Sequence, residues 1–253
     1  FFSAVYSLFA VASPALAQMA YLAGEWSVDE VRLPREQSTA LEAIVNGLDD
    51  TTPMRDQSEN DFFRQTTRPV GKLVVETLNN EIGSCTATLI ASDLVLTNAH
   101  CVVDYRGRVT AERGRLHLGW LDATREDEVR GFDVDVKNLV EVGSIAENDY
   151  AILRITSGNP SRTFGLVRLT DAVPEPGISL FIGHHPLGLP MVLSAAGNCL
   201  ASGVSRGDFF HTCDTKPGSS GAPIFLVRPS SDKDDGAFAI HSRAVDENRN
   251  GGV

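Results

Sequence analysis

"GSCTATLIASDLVLTNAHCV", residues 83–102, holds two strand-like runs that stop abruptly at polar residues. TATLIA (86–91) and DLVLT (93–97) are short and rich in β-branched or aliphatic side chains. Runs of this length bounded by Gly, Ser, Asn and Asp read as strands rather than helices. The same texture recurs outward in both directions: KLVVETL (72–78), GRLHLG (114–119), AILRIT (151–156), FGLVRL (164–169), ISLFI (178–182), MVLSAA (191–196), FFHTC (209–213), APIFLV (222–227) and AFAIH (237–241). Many short strands without alternating long helices point to an all-β barrel or sandwich. Residues 48–68 read as loop from their Asp, Thr, Asn and Pro content, and TSGNPSRTFG (156–165) reads as a linker between two halves.

The chain has 253 residues, enough for one large domain or two lobes with cores of their own. Its formal net charge is −11 and its pI about 5.0. That balance argues against nucleic acid or anionic lipid as a partner, because both need a basic face. FFSAVYSLFAVASPALAQ (1–18) has an apolar run followed by Ala15-Leu16-Ala17, the small-x-small signature of a leader cleaved before Gln18. The run is too short to cross a bilayer, so no membrane span is expected in the mature protein. Phe1 opens the chain without a basic stretch before the apolar run, and the start is read as clipped. Residues 18–43 are polar and charged and read as a pro-segment. Export, whether extracellular or periplasmic, agrees with an even number of cysteines: Cys85, Cys101, Cys199 and Cys213. None forms a C-x-x-C pair, so neither zinc nor another metal is expected, and no cofactor is called for.

Three polar residues stand at the edges of these strand-like runs, in the order His100, Asp149, Ser220. A serine hydroxyl is a poor nucleophile at neutral pH and needs a base. An imidazole, with an ordinary pKa near ~6.5, can serve. The imidazole in turn needs an acceptor that fixes its tautomer and stabilises its charged form. "TKPGSSGAPIF" (215–225) sets Ser220 among small residues, and Gly218 lets the backbone turn N–H groups toward a developing oxyanion. Each feature alone is weak, since a His beside a Cys, an Asp before a strand and a G-x-S-G turn all have structural explanations. Their conjunction in one exported β-rich chain is much stronger.

TNAHC (97–101), NDYAIL (148–153) and GSSGAP (218–223) resemble the histidine, aspartate and serine motifs of the trypsin-like, chymotrypsin-fold serine peptidases. The resemblance is greatest to bacterial members related to the glutamyl endopeptidases, through AIVNGLDDTTPMRD (43–56) and CDTKPGSSGAPIF (213–225). It implies two six-stranded antiparallel barrels with the site in the cleft between them, a first barrel at about 70–157 and a second at about 164–253, within a peptidase domain over 44–253. His100 and Asp149 would come from the first barrel and Ser220 from the second, with the N–H groups of Gly218 and Ser220 as oxyanion hole. It implies protein or peptide substrates and a monomer. Ser242 would support Asp149 and the substrate backbone.

The chain departs from the pancreatic pattern in two places. Ser219 stands where those relatives carry the Asp that pairs with a new N-terminal amine, and Ala43 precedes IVNG (44–47) instead of Arg or Lys. A zymogen with a bacterial type of mature start is therefore expected. The chain stops at Asn250-Gly251-Gly252-Val253, where relatives continue with a strand and a helix, so a closing strand of the second barrel is expected to be missing. Cys85 and Cys101 match the family's histidine-loop disulfide. Cys199 and Cys213 would bracket a hairpin through Gly203 and Gly207, and closing a loop of that size is worth about 3 kcal/mol on the chain-entropy model.

Two pockets remain open. Thr215 and His241 occupy positions where glutamyl endopeptidases grip a substrate carboxylate, and a hydroxyl with a protonatable imidazole suits an anion. Asp214, six residues before Ser220, stands where trypsin has the carboxylate that selects Arg or Lys. His184 and His185 are adjacent, so on a strand they face opposite ways, and a strand-to-turn role is expected. DKDD (232–235) lacks calcium-loop spacing and reads as a solvated insertion. The resemblance implies a secreted serine endopeptidase. Its rivals are a catalytically silent homologue that binds proteins and a quality-control protease. A complete His, Asp and Ser set counts against the first, and the lack of a following peptide-binding module counts against the second.

Overall fold

The computed structural model describes residues 45, 47–195, 197–205, 207–227, 236–246 and 249–253. The expected leader (1–17), the pro-segment (18–43) and DKDD lie outside the described residues. Among the described residues the first element is a short strand β1 (Thr52–Pro53), and a first sheet follows from β2 (Val70–Thr77), β3 (Ile82–Leu89), β4 (Leu94–Thr97), β5 (Ala111–Leu118), β6 (Arg130–Asp135), β7 (Glu141–Val142) and β8 (Ala151–Ile155). All its pairings are antiparallel, in the order β4-β3-β2-β5-β6-β8, and the sheet closes because β4 also pairs with β8. β7 adds to the outside of β8. A closed ring leaves no unpaired edge.

The second sheet contains β1 together with β9 (Leu180–His184), β10 (Val192–Ser194), β11 (Ala201–Ser205), β12 (Asp208–His211), β13 (Pro223–Leu226), β14 (Ala237–Asp246) and β15 (Arg249–Gly252). β9 pairs with β10 and β13, and the order runs on through β14, β15, β12 and β11. An antiparallel bridge between Ser179 and Leu200 returns β11 to β9. β10 and β11 share one place in the ring, which therefore has six positions. The fold is all-β, of the two-barrel chymotrypsin type. β15 lies between β14 and β12, in the place that the sequence reading had left empty.

Side-chain alternation explains how the barrels meet. Along β2, Leu73 and Val75 enter the core of the first barrel. Val70, from the same strand, joins Met54, Phe181, Met191, Leu193 and Phe225 in an apolar cluster between the sheets. Lys72 is fully buried on that outer face, with Nζ 4.5 Å from the centroid of the Trp120 ring. β2 is thus buried on both faces from Val70 to Glu76, and the burial takes in the charged Lys72 and Glu76 as well as the apolar Leu73, Val74 and Val75.

Three expectations are corrected. Residues 48–68 are not simply loop: β1 pairs with β10, a 3₁₀ turn spans Met54–Asp56, and a helix α1 (Phe62–Thr66) follows. The Asp61 carboxylate caps α1 by accepting from the N–H groups of Phe63 and Arg64. Residues 164–169 do not form a strand. Pro160 precedes a short helix α2 (Ser161–Phe164), and Gly165 ends it at φ 79°. Leu166 and Leu169 are left half-exposed, and Leu169 makes only an isolated bridge with Ala237. The sequence reading also passed over β6, β7 and β15. Their sequences RGFDVD, EV and RNGG are charged, very short or glycine-rich, and the neighbouring strands, not propensity, recruit them.

Two disulfides are formed, Cys85–Cys101 and Cys199–Cys213. The first ties β3 to the turn that carries His100, and the second closes the base of the β11–β12 hairpin. Among the described residues no helix is long and apolar enough to cross a membrane.

Candidate active site

His100 sits in a single 3₁₀ turn, Ala99–Cys101, directly after β4. Asp149 lies just before β8, the strand paired with β4, so sheet register brings the two together. The Asp149 carboxylate is buried and holds the histidine at two points: it accepts from the His100 backbone N–H at 3.0 Å and lies 2.6 Å from His100 Nδ1. An ionised carboxylate only accepts, so Nδ1 carries the proton and the neutral ring keeps Nε2 as its acceptor. Asn98 fixes the same segment by donating from Nδ2 to the Asp149 carbonyl at 2.6 Å.

A third donor comes from the second barrel. Ser242 Oγ, on β14, donates to Asp149 Oδ2 at 2.6 Å. Burial pushes the Asp149 carboxyl up, but the bonds from His100 and Ser242 outweigh it, and the pKa lies below the ordinary carboxylate value. Ser220 Oγ is buried near the same residue and donates to the Ser242 carbonyl at a long 3.4 Å. Ser242 therefore joins Ser220 to the Asp149–His100 pair across the two barrels. The His100 side chain is 28% exposed, so one open face of the cluster meets solvent.

The glycines beside Ser220 answer to steric need. Gly218 has φ +92°, and a Cβ there would lie 2.8 Å from the His185 carbonyl oxygen. Gly221 has φ +86°, and a Cβ there would come within 2.2 Å of the Thr86 carbonyl oxygen. Both positions exclude a side chain. Thr86, on β3, clamps this loop from the first barrel. Its Oγ1 donates to the Gly218 carbonyl at 2.9 Å, and its N–H donates to the Ser220 carbonyl at 2.8 Å. Sequence reasoning missed Thr86, and no local pattern marks it. The N–H groups of Gly218 and Ser220 donate to no carbonyl among the described residues.

The neighbouring pocket residues are all buried: Asp214, Thr215, His241 and Ser242 are at most 1% exposed. The Thr215 hydroxyl finds no hydrogen-bond partner among the described residues. His241 Nδ1 lies 3.2 Å from Nε2 of His211, a residue the sequence reading did not single out. The Asp214 carboxylate accepts from the Asp50 N–H at 3.1 Å, and Lys216 pairs with Asp49. The segment that precedes β1 is thus fastened to the strand of residues leading to Ser220. Cys85, Cys101 and His100 place ligand-type atoms within 4.8 Å of one another, but both sulfurs are joined in the disulfide and are not thiolates.

A family model described as Trypsin-like peptidase domain matches residues 85–228, more than half of the chain. The chain belongs to the trypsin-like peptidases. It is a serine endopeptidase, and its substrates are peptides. No curated protein matches it. Among solved structures, the peptidase is similar to a Glu endopeptidase crystallised with MPD, at 18% identity and TM-score 0.63, covering 83% of this chain and 92% of that one. It is also similar to a thermostable serine protease from an extremophilic microorganism, at 18% identity and TM-score 0.57, with 74% and 91% covered. A serine endoprotease from Yersinia pestis aligns at 15% identity and TM-score 0.55, over 78% of this chain and 62% of that one. These likenesses share the fold of the peptidase.

Proposed function

We propose that the peptidase cleaves its substrates through an acyl-enzyme on Ser220. His100 takes the proton of the Ser220 hydroxyl and returns it to the leaving amine. Asp149 holds the ring in the Nδ1–H tautomer and stabilises the imidazolium. The N–H groups of Gly218 and Ser220 receive the oxyanion. One observation carries this reading: the hydrogen-bonded series His100, Asp149, Ser242, Ser220, which spans the two barrels. A fluorophosphonate probe should label the active protein at Ser220, and a label mapped to any other serine would overturn the assignment.

The pocket reading that the residues support best is selection of Glu before the cut. A substrate carboxylate would meet the unpartnered Thr215 hydroxyl and the His241 ring. A buried anion needs such charge-assisted bonds to offset its desolvation. His241→Ala should raise the barrier for Glu substrates by roughly 2–4 kcal/mol, the scale of stranding a buried charge, and affect neutral ones far less. The buried Asp214 carboxylate favours a second reading, selection of Arg or Lys. Peptides that differ only before the cut separate the two. A preference for Arg or Lys, or indifference of Glu substrates to His241→Ala, ends the glutamyl reading.

The peptidase is further proposed to be exported and matured, with removal of 1–17 and then of 18–43 to leave a peptidase domain over 44–253. The leader pattern in 1–18 and the attachment of Asp49 and Asp50 beside the pocket support it. Mass analysis of the secreted form should find a terminus near Ile44, and full activity with a terminus at Gln18 would refute the pro-segment.

A further inference from the structure

Ser219, beside the proposed nucleophile, points into the second barrel instead of toward the cleft. Its Oγ lies 2.7 Å from Nδ1 of His184, at the end of β9. Nε2 of the same ring lies 3.0 Å from Ser194 Oγ, at the end of β10. Ser194 Oγ donates onward to the Asp214 carbonyl at 2.6 Å. Ser219, His184 and Ser194 are fully buried, so water completes none of these bonds.

The direction of every proton follows. The Ser194 hydroxyl has one hydrogen, and the Asp214 carbonyl takes it. Ser194 must then accept from His184, which places the ring proton on Nε2. Nδ1 is left as an acceptor, and Ser219 Oγ–H donates to it. Ser219 Oγ still has a lone pair, which accepts the Lys216 N–H at 3.1 Å. The other ring tautomer would turn the Ser194 hydroxyl away from the Asp214 carbonyl and leave the Ser219 hydrogen without this acceptor. Burial, with His241 and His185 nearby, lowers the His184 pKa to about 3, so the neutral ring persists across the working range.

These bonds grip the loop at two points five residues apart: Asp214, where the pocket begins, and Ser219, next to Ser220. We propose that His184 is a positioning residue, which through Ser219 and Ser194 holds the 214–220 loop in the conformation that aims the Gly218 and Ser220 N–H groups and the Ser220 hydroxyl at the cleft. This rests on the acyl-enzyme reading. Thr86 fixes the same loop from the first barrel through Gly218 and Ser220. The histidine relay is the corresponding clamp from the second barrel. Substrate binding draws on many contacts, whereas the oxyanion donors act in the transition state. Loss of the relay should therefore lower kcat and leave KM nearly unchanged.

The test compares His184→Leu with His184→Asn. Asn sets an amide oxygen close to the place of Nδ1 and can still accept from Ser219, while Leu fills the apolar volume better. His184→Leu should lose about 100-fold in kcat, the scale of one misplaced oxyanion donor, with KM within threefold. His184→Asn should recover part of that loss. Ser219→Ala should match His184→Leu, and the double variant should be no worse than either alone, because both break the same relay. The rate of fluorophosphonate labelling at Ser220 should fall in parallel with kcat. A packing role alone predicts the opposite order, Leu at least as active as Asn, and that result, or additive losses in the double variant, overturns the proposal. Wild-type labelling away from Ser220 overturns the acyl-enzyme reading instead, so the two failures are distinct.

Discussion

Ser220→Ala should lower kcat/KM by roughly six orders of magnitude, the loss that follows removal of the nucleophile from a serine peptidase of this mechanism. The folded state should barely respond. Ser220 Oγ makes one long bond, to the Ser242 carbonyl, and sits in a loop whose shape is set by other groups. Those groups are Thr86 on the Gly218 and Ser220 carbonyls, Gly221 at φ +86°, and the pairing of the Gly221 N–H with the His241 carbonyl. None involves the Ser220 hydroxyl. The variant should unfold within about 1 kcal/mol of wild type, the worth of a single weak hydrogen bond. Residual activity should be that of the oxyanion donors and substrate binding alone. The measurement is peptide hydrolysis beside urea unfolding of the same preparations. Activity within tenfold of wild type would remove Ser220 from the mechanism, whatever the stability.

How far the sequence announced this arrangement depended on whether a signal was local. The motifs around His100, Asp149 and Ser220 were readable because each combines a reactive side chain with a strand edge in a short window. Gly218 was readable for the same reason: a positive φ demands glycine wherever the rest of the chain lies. Thr86 was not, since it is a β-branched residue in a β-branched run, and only the packing of β3 against the second barrel turns its Oγ1 toward Gly218. His184 was assigned a strand-to-turn place, which is where it stands, at the end of β9. Its partners Ser194 and Ser219 lie 10 and 35 residues away. β15 illustrates the limit for the fold. Arg249–Gly252 has no strand propensity, and it forms because β12 and β14 offer a gap between them. The helix at 161–164 was missed because the apolar run after it looks like a strand, while Pro160 and Gly165 bound one turn of helix.

Acid should unfold the peptidase more steeply than its carboxylates alone explain. Five of its six histidines are buried, and burial holds four of those rings neutral. Burial lowers His117, with Lys72 and Arg115 adding to the effect, to about 3. Burial also lowers His184 and His185 to about 3, and it carries His211 well below its ordinary value. In the unfolded chain these rings take up a proton near pH ~6.5. The folded state therefore refuses protons that the unfolded state accepts. Stability is complete above the unfolded pKa and is lost as pH falls from there toward 3. Asp149 works in the same direction at lower pH: its depressed folded pKa contributes stability above the ordinary carboxylate value, which is lost below it. Each neutral histidine contributes a slope of about 1.4 kcal/mol per pH unit, so four acting together give about 5. Against a typical domain stability of about 5–15 kcal/mol, unfolding should be complete one to three units below pH ~6.5, which is above the carboxylate range for a domain at the low end of that stability and inside it for one at the high end. Urea titrations at pH 7, 6, 5.5 and 5 measure the slope directly. His117→Gln, away from the catalytic cluster, should reduce it by about a quarter. A slope of about 1.4 kcal/mol per unit or less across that range would mean that at most one of these rings is held neutral, and the polar interior on which both the pocket and the relay depend would not exist as described.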